Sequence, residues 1–257
     1  QCVHFTNPEP AEQLKPLDVT DKPIIPVVFA ADDNYVPQLT TTVYSAMKNA
    51  DPSYFYDVTV LQRNIAWDKQ ERMRVFFKRF PNMNLRFTNV DRELAGYDLS
   101  TNNAHISVET YYRFLIQKVL PFYDKVLYLD SDIIINGDIA KLYNIDLQGK
   151  LLGAVRDIDF LGNLNVKHGK RMNYAKTVLK MQNPYDYFQA GVLVLNTKAM
   201  REHYTIEQWL AYASNDEFIY NDQDVLNAHC EGNVLYLPWE MECGSRLRRT
   251  CRQPLRA

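Results

Sequence analysis

Two carboxylates one residue apart, Asp130 and Asp132, interrupt the apolar run KVLYLDSDIIINGDI from Lys125 to Ile139. Val126, Leu127, Tyr128 and Leu129 have the β-branched and aromatic character of a buried strand, and Ile133, Ile134 and Ile135 resume it. Unpaired charge in such a place is costly. Residues i and i+2 at a strand end point the same way, so the two acids repel unless a cation lies between them. Hard oxygen ligands suit Mg²⁺ or Mn²⁺, which keep positions open for a substrate phosphate. The plain alternative is that one Asp caps the next turn and the other pairs with a lysine. The DxD pattern alone does not choose.

Two further stretches and one arginine carry polar groups where chemistry is possible. In AADDNYVP (30–37) a strand meets a helix without a glycine-rich loop, which argues against a dinucleotide or P-loop fingerprint. Asp32 or Asp33 there can accept from a ribose hydroxyl or a base N–H, and Tyr35 can stack on a base; equally, Asp33 or Asn34 can simply cap the helix. YNDQDVLN (220–227) opens a helix with Asp222, Gln223 and Asp224. Acids in a first turn complement the helix dipole, so only Gln223 hints at a polar ligand. Arg113 either reaches a phosphate or pairs with Glu109.

These residues need elements to hold them, and the chain supplies an alternation. IPVVFAA (25–31), YDVTVL (56–61) and NLRFTNV (84–90) read as strands. VPQLTTTVYSAMKNA (36–50) places Leu39, Val43, Ala46 and Ala50 on one helical face. WDKQERMRVFFKRF (67–80) is a helix burying Met73, Phe76, Phe77 and Phe80, and VETYYRFLIQKVL (108–120) a helix stopped by Pro121. LLGAVRD (151–157) follows, then a polar segment to about Asn183, AGVLVLN (190–196) as an interior strand, and a helix around Asp222 to His229. The β-α-β-α-β order predicts an α/β fold, a mostly parallel sheet with helices on both faces. Such sheets bind ligands at the carboxyl ends of their strands, an edge that DDNY and DSD would share.

Composition narrows the partners. With 257 residues, 46% apolar and 23% charged, the chain is an ordinary globular sequence, and a net charge of −2 draws it towards no nucleic acid. No apolar run is long enough for a membrane span. Cys2, Cys230, Cys243 and Cys251 form neither a CxxC pair nor a disulfide framework, which fits a reducing cytoplasm. The chain opens on Gln1 rather than Met, as a processed or trimmed chain would. Residues 1–25 read as an N-terminal extension. RLRRTCRQPLRA (246–257) holds five arginines and no lysine. It reads as a truncated or non-native end, with peripheral contact to an acidic membrane face as the alternative; an amphipathic apolar face is missing.

Taken together the motifs resemble the family 8 glycosyltransferases, retaining enzymes of the GT-A (Rossmann-like) fold that include bacterial lipopolysaccharide galactosyl- and glucosyltransferases. The resemblance rests on FAADDNY (29–35), HISVETYYRF (105–114), KVLYLDSDIII (125–135), FQAGVLVLN (188–196) and YNDQDVLN (220–227), in family order, and spans residues 26–238. It implies a UDP-glucose or UDP-galactose donor, a glycan acceptor such as lipopolysaccharide or capsule, and Mn²⁺ (or Mg²⁺) on Asp130 and Asp132. It implies that Ala30, Asp32, Asn34 and Tyr35 hold the uridine and that Arg113, Asp130 and Ser131 lie along the donor. Asp157, Asp222 and Gln223 match positions around the donor sugar, with Gln223 on its β-face. An amide is a poor nucleophile, so the role expected of Gln223 is to stabilise an oxocarbenium-like centre.

Two departures stand out. Gln189 replaces the Asn of FNAGV, one methylene longer, at a position expected to touch the sugar or acceptor. The family's late HxxGxxKPW segment, whose His is a third metal ligand, does not occur; His4, His105, His168, His203 and His229 lie in other contexts. The second reading is therefore a nucleotide-sugar-binding relative without turnover. The third is a haloacid-dehalogenase-type phosphatase with Asp130 as nucleophile, which would want Thr or Val at Ile134 and the motif on its first strand.

Overall fold

The computed structural model describes residues 14–95, 97, 99 and 108–238. Seven strands form one sheet: β1 (Ile24–Ala30), β2 (Phe55–Gln62), β3 (Met83–Asn89), β4 (Val126–Leu129), β5 (Leu152–Arg156), β6 (Phe188–Leu195) and β7 (Val234–Tyr236). Their order across the sheet is β3-β2-β1-β4-β6-β5-β7. All neighbours pair in parallel except β6, which runs against β4 and β5. The helices are α1 (Val36–Lys48), α2 (Trp67–Phe77), α3 (Asp91–Leu94), α4 (Ile116–Val119), α5 (Ile139–Tyr143), α6 (Ile158–Gly162), α7 (Arg171–Thr177), α8 (Thr197–His203), α9 (Ile206–Ala213) and α10 (Asn221–Cys230).

The interior strands are apolar on both sides because both sides are covered. In β1, Ile25, Val27 and Phe29 join one core with Leu39, Val43, Met73 and Phe77 from α1 and α2, while Val28 and Ala30 join the other. β4 divides likewise, Leu127 and Leu129 one way, Val126 and Tyr128 the other. The second core adds Trp209, Leu210, Val225 and Leu226 from α9 and α10. This is the expected α/β sheet, mostly parallel and covered by helices. Among the described residues no helix is long and apolar enough to cross a membrane.

Several local expectations change. The strand at the DSD stretch ends at Leu129; Ile133 is buried beneath the turn that follows, Ile134 is exposed and Ile135 half-buried. The chain turns there because α1 takes its backbone. Thr42 Oγ1 lies 2.9 Å from the carbonyl oxygen of Ser131 and 2.7 Å from that of Ile133. Ser45 Oγ accepts from Ile135 N at 2.9 Å, and Asn49 Nδ2 donates to Ile135 O at 2.8 Å. Residues 108–120 are not a single α-helix: Val108–Leu115 form a 3-10 helix that passes into α4. Thr110, Tyr111 and Tyr112 have low helix propensity, and Arg113 Nε takes the Thr110 carbonyl at 2.9 Å. Phe76, Phe80 and Ala50 are only half-buried; Phe76 is on α2, while Phe80 and Ala50 fall past the ends of α2 and α1, which stop at Phe77 and Lys48. The polar segment before Asn183 contains α6 and α7, and α8, α9 and β7 carried no expectation at all. The DSD turn follows the fourth strand in chain order, unlike the phosphatase pattern. Cys230 is a buried free thiol that burial pushes up to about 12, an inert side chain. The other three cysteines, His4, His105 and the tail from Trp239 lie outside the described residues, as does most of the 1–25 extension.

Candidate active site

The reversed strand decides what meets at the sheet edge. β1 and β4 run in parallel, so Ala30–Tyr35 and the DSD turn emerge side by side. Because β6 is antiparallel, its beginning, Phe188 to Gly191, arrives at the same edge, and Asp130 N donates to Gly191 O at 2.7 Å. The end of β5 brings Asp157, whose N donates to Tyr187 O at 3.0 Å.

The turn after β1 is held by Asp32. Its Oδ1 accepts from Asn34 N and Tyr35 N, each at 2.9 Å, and its Oδ2 from Asn34 Nδ2 at 3.2 Å. Neither Asp33 nor Asn34 caps α1, contrary to the capping expectation. Asp33 instead accepts from Ala66 N at 3.0 Å and pairs with Lys69 at 2.6 Å. The Ala66 N–H, with the Lys69 ammonium, holds its carboxyl below the usual range. Tyr35 is exposed, with its ring open to solvent.

Arg113 is buried under this edge and pairs with Asp222, not Glu109. Its guanidinium packs 4.2 Å from the Tyr128 ring centroid, donates to Ala190 O and to Tyr128 Oη at 3.1 Å, and reaches Asp130 Oδ1 at 3.4 Å. Burial pulls its pKa down, but the carboxylates of Asp222 and Asp130 outweigh that and raise it, so Arg113 is a fixed cation. Asp222 accepts from Thr110 Oγ1 on one oxygen. Its other oxygen lies 2.9 Å from Arg113 Nε, whose N–H points at Thr110 O; that oxygen has a charge beside it but no hydrogen bond. Burial pushes the Asp222 carboxyl up to about 6 against the pull of Arg113.

Asp130 is half-buried and Asp132 exposed. The Asp130 carboxylate occupies the space that a side chain on residue 191 would need; a Cβ there would stand 2.5 Å from its Oδ2. Two carboxylates on one turn, Asp132 of them exposed, are a hard-oxygen donor set that fits Mg²⁺ or Mn²⁺, ions that take phosphate and water as further ligands. Among the described residues no three His, Cys, Asp or Glu side chains gather as a metal site. Ser131, between the pair, is buried.

On the other side of β6, Gln223 joins Asp157. Gln223 Oε1 accepts from Ala190 N at 3.0 Å; its Nε2 donates to Asp157 Oδ2 at 2.9 Å and to Tyr187 Oη at 3.2 Å. An N–H on one side and a carboxylate on the other leave only one orientation of the amide. Both Nε2 hydrogens are committed, and the unused capacity is a lone pair on oxygen. Asp157 also caps α6, accepting from Phe160 N at 2.9 Å. Gln189 Oε1 accepts from Gly191 N at 2.7 Å, so the longer side chain folds back on its own strand. Asn221, which opens α10, is buried at φ 47°, a strained conformation for a residue with a Cβ.

The edge thus gathers Ala30, Asp32, Asn34, Tyr35, Arg113, Asp130, Ser131, Asp132, Asp157, Gln189, Asp222 and Gln223. Sequence reasoning missed the residues behind them: Tyr187, Thr110, Asn227 and the Thr42, Ser45 and Asn49 clamp. Asn227 Nδ2 donates to Gln223 O at 2.9 Å and to Phe188 O at 2.7 Å, and Asn227 Oδ1 accepts from Phe188 N at 2.8 Å. Its i+4 spacing from Gln223, and the i, i+3, i+7 spacing of the clamp, were the available signals.

Comparison with known proteins places this geometry. The sequence profile of the family described as "Glycosyl transferase family 8" matches residues 26–249, a span that runs past Pro238. Glycosyltransferase GlyF of Streptococcus pneumoniae serotype 4 is 31% identical over 217 residues, 82% of this chain and 47% of that protein. Among solved structures, the WbbM bifunctional glycosyltransferase in its apo form is similar with a TM-score of 0.78 and 31% identity, over 88% of this chain and 40% of that one. The galactosyltransferase LgtC, solved in complex with donor and acceptor sugar analogues, is similar with a TM-score of 0.68 and 30% identity, over 84% of this chain and 74% of that one. The chain spans about half the length of GlyF and less of WbbM. With the ordered motifs, the GT-A sheet and the profile match agreeing over nearly its whole length, the chain belongs to glycosyl transferase family 8.

Proposed function

We propose that residues 26–238 move a hexose from a UDP-sugar, glucose or galactose, to a hydroxyl of a glycan acceptor with retention at the anomeric carbon. The observation that carries this reading is the fixed Gln223 amide, set between Asp157 and Ala190 with an oxygen lone pair left over. In this reading the Ala30–Tyr35 turn takes the uridine, with Asp32 and Asn34 offering polar atoms and Tyr35 its ring. Asp130 and Asp132 hold Mn²⁺ or Mg²⁺, which when bound neutralises charge on the leaving diphosphate. Arg113 keeps its charge at the same place by locking Asp130 and Asp222 together.

The bond from the anomeric carbon to the diphosphate breaks, and its electron pair leaves on UDP. The acceptor oxygen bonds the same face, and its proton passes to the departing phosphate oxygen. The Gln223 oxygen faces the positive charge that develops on the sugar ring, an electrostatic role that needs no covalent bond to the protein. A bacterial surface glycan such as lipopolysaccharide or capsule, built at the inner face of the membrane, is the acceptor class this reading favours, and LgtC's acceptor analogue supports a sugar there.

The test is UDP release from UDP-glucose and UDP-galactose, with Mn²⁺ or with EDTA, beside Asp130→Ala. Release that needs metal and vanishes in the variant supports the proposal and names the donor. No metal-dependent release or binding with either sugar would sink it, and hydrolysis of p-nitrophenyl phosphate would turn the reading towards a phosphatase.

A further inference from the structure

Tyr187 stands behind the site and is fully buried. Its ring stacks on Phe160 with centroids 3.6 Å apart and planes 9° from parallel. Its hydroxyl donates to Asp224 Oδ1 at 2.7 Å. Asp224, also fully buried, takes a second hydroxyl from Tyr174 and the backbone N of Tyr220, the latter at 2.7 Å. A phenol has one proton. With that proton committed to a carboxylate, the Tyr187 oxygen can only accept from Gln223, and it does so at 3.2 Å from Nε2. Its carbonyl meanwhile accepts from Asp157 N, so Tyr187 also tethers the other acceptor of the amide nitrogen.

We propose that Tyr187, oriented by Asp224, is a positioning residue that fixes which face of the Gln223 amide the sugar meets. The reading rests on the proposed glycosyl transfer for its kinetic consequences but not for its geometry. Ala190 N and Asp157 set which end of the amide is nitrogen; Tyr187 engages the second Nε2 hydrogen and fixes the plane of the amide about that axis. Tyr174 reaches the same carboxylate without touching Gln223, which makes it the natural comparison.

Tyr187→Phe keeps the ring stack and removes the hydroxyl. The loss of one hydrogen bond to a catalytic amide is expected to lower kcat about fivefold to tenfold with KM for the UDP-sugar unchanged. In a Gln223→Ala background the same substitution should change kcat by less than twofold, because residues acting as one unit are non-additive. Tyr174→Phe should cost comparable stability and leave kcat within twofold. Independently of turnover, both Gln223 Nε2 protons of the wild-type chain should resist hydrogen exchange in NMR spectra, and Tyr187→Phe should expose one. Wild-type protons that exchange freely, unchanged protection in Tyr187→Phe, or an undiminished kcat loss without Gln223 would each overturn the proposal. Protection that depends on Tyr187 in a chain that turns over no UDP-sugar would uphold the positioning and reject glycosyl transfer instead.

Discussion

Replacing Gly191 by alanine asks whether strand β6 sets the place of Asp130. The new methyl carbon would stand 2.5 Å from Asp130 Oδ2, 3.1 Å from its Cγ and 3.0 Å from Gln189 Oε1. Ordinary contact begins at 3.4 Å, so the carboxylate oxygen must retreat by about 0.9 Å (3.4 − 2.5). The backbone at 191 is not in the left-handed region, so alanine fits the strand and the strain falls on the side chains. Asp130 cannot retreat freely, since Arg113 and the Thr42-bound turn hold it from behind. A misplacement near 1 Å at a reacting site costs on the order of 10²-fold. The expected result is kcat/KM lowered by about that factor, or roughly 2.7 kcal/mol of transition-state stabilisation. Calorimetry of UDP with Mn²⁺ and with EDTA should show the metal-dependent part of the affinity largely gone and the metal-independent part kept. A variant that binds UDP and Mn²⁺ as the wild type does, with turnover within threefold, would refute the reasoning and place the functional carboxylate elsewhere.

Two further outcomes follow from residues outside the catalytic edge. Thr42→Val removes the hydroxyl that lies against two carbonyls of the DSD turn, and should weaken Mn²⁺-dependent UDP binding by about fivefold, the worth of one hydrogen bond, while Thr42→Ser restores it. Equal affinity for all three chains would show that the turn holds its own shape. His229 stacks on Tyr212 with centroids 3.6 Å apart, and burial lowers its pKa from 6.5. The unfolded chain therefore binds a proton that the folded chain refuses. The stability His229 contributes is present above about pH 6.5 and is lost as pH falls towards its lower folded value. Urea midpoints at pH 7.5 and 5.5 should converge in His229→Gln relative to the wild type; identical shifts in both chains would remove His229 from the account.

The central frame was legible because its signals are local. β1, β2 and β3 declare themselves by apolar runs, and α1 by its i, i+3, i+4 face. The site residues were legible as a set, through motifs in order, but their pairings were not. Arg113 sits four residues from Glu109, the partner a helix would give it, yet the 3-10 path turns it to Asp222 on α10. Strand β4 stops at Leu129, so Asp130 and Asp132 stand on a turn whose carbonyls Thr42 of α1 takes, a contact the linear pattern does not announce. Tyr187 was invisible for the same reason: nothing in its neighbours tells that Gln223 and Asp224, both on α10, will close upon it. Charge pairing across the chain is a property of topology, and a linear pattern does not carry it.

The reversed direction of β6 also bears on how the molecule assembles. β1, β2 and β3 pair with their chain neighbours through single helices, so this half forms from contacts of short reach. β6 must return across the α5-to-α7 region to set Val126 opposite Leu195 and Leu129 opposite Val192. Closing so long a loop is entropically slow, and such pairings tend to come late. The Ala30–Tyr35 turn, which joins β1 to α1, is thus expected to form before Gln189, Gln223 and Asp157 are gathered. Under the proposed function, the folding chain would therefore gain the elements of its nucleotide site before those of its sugar site.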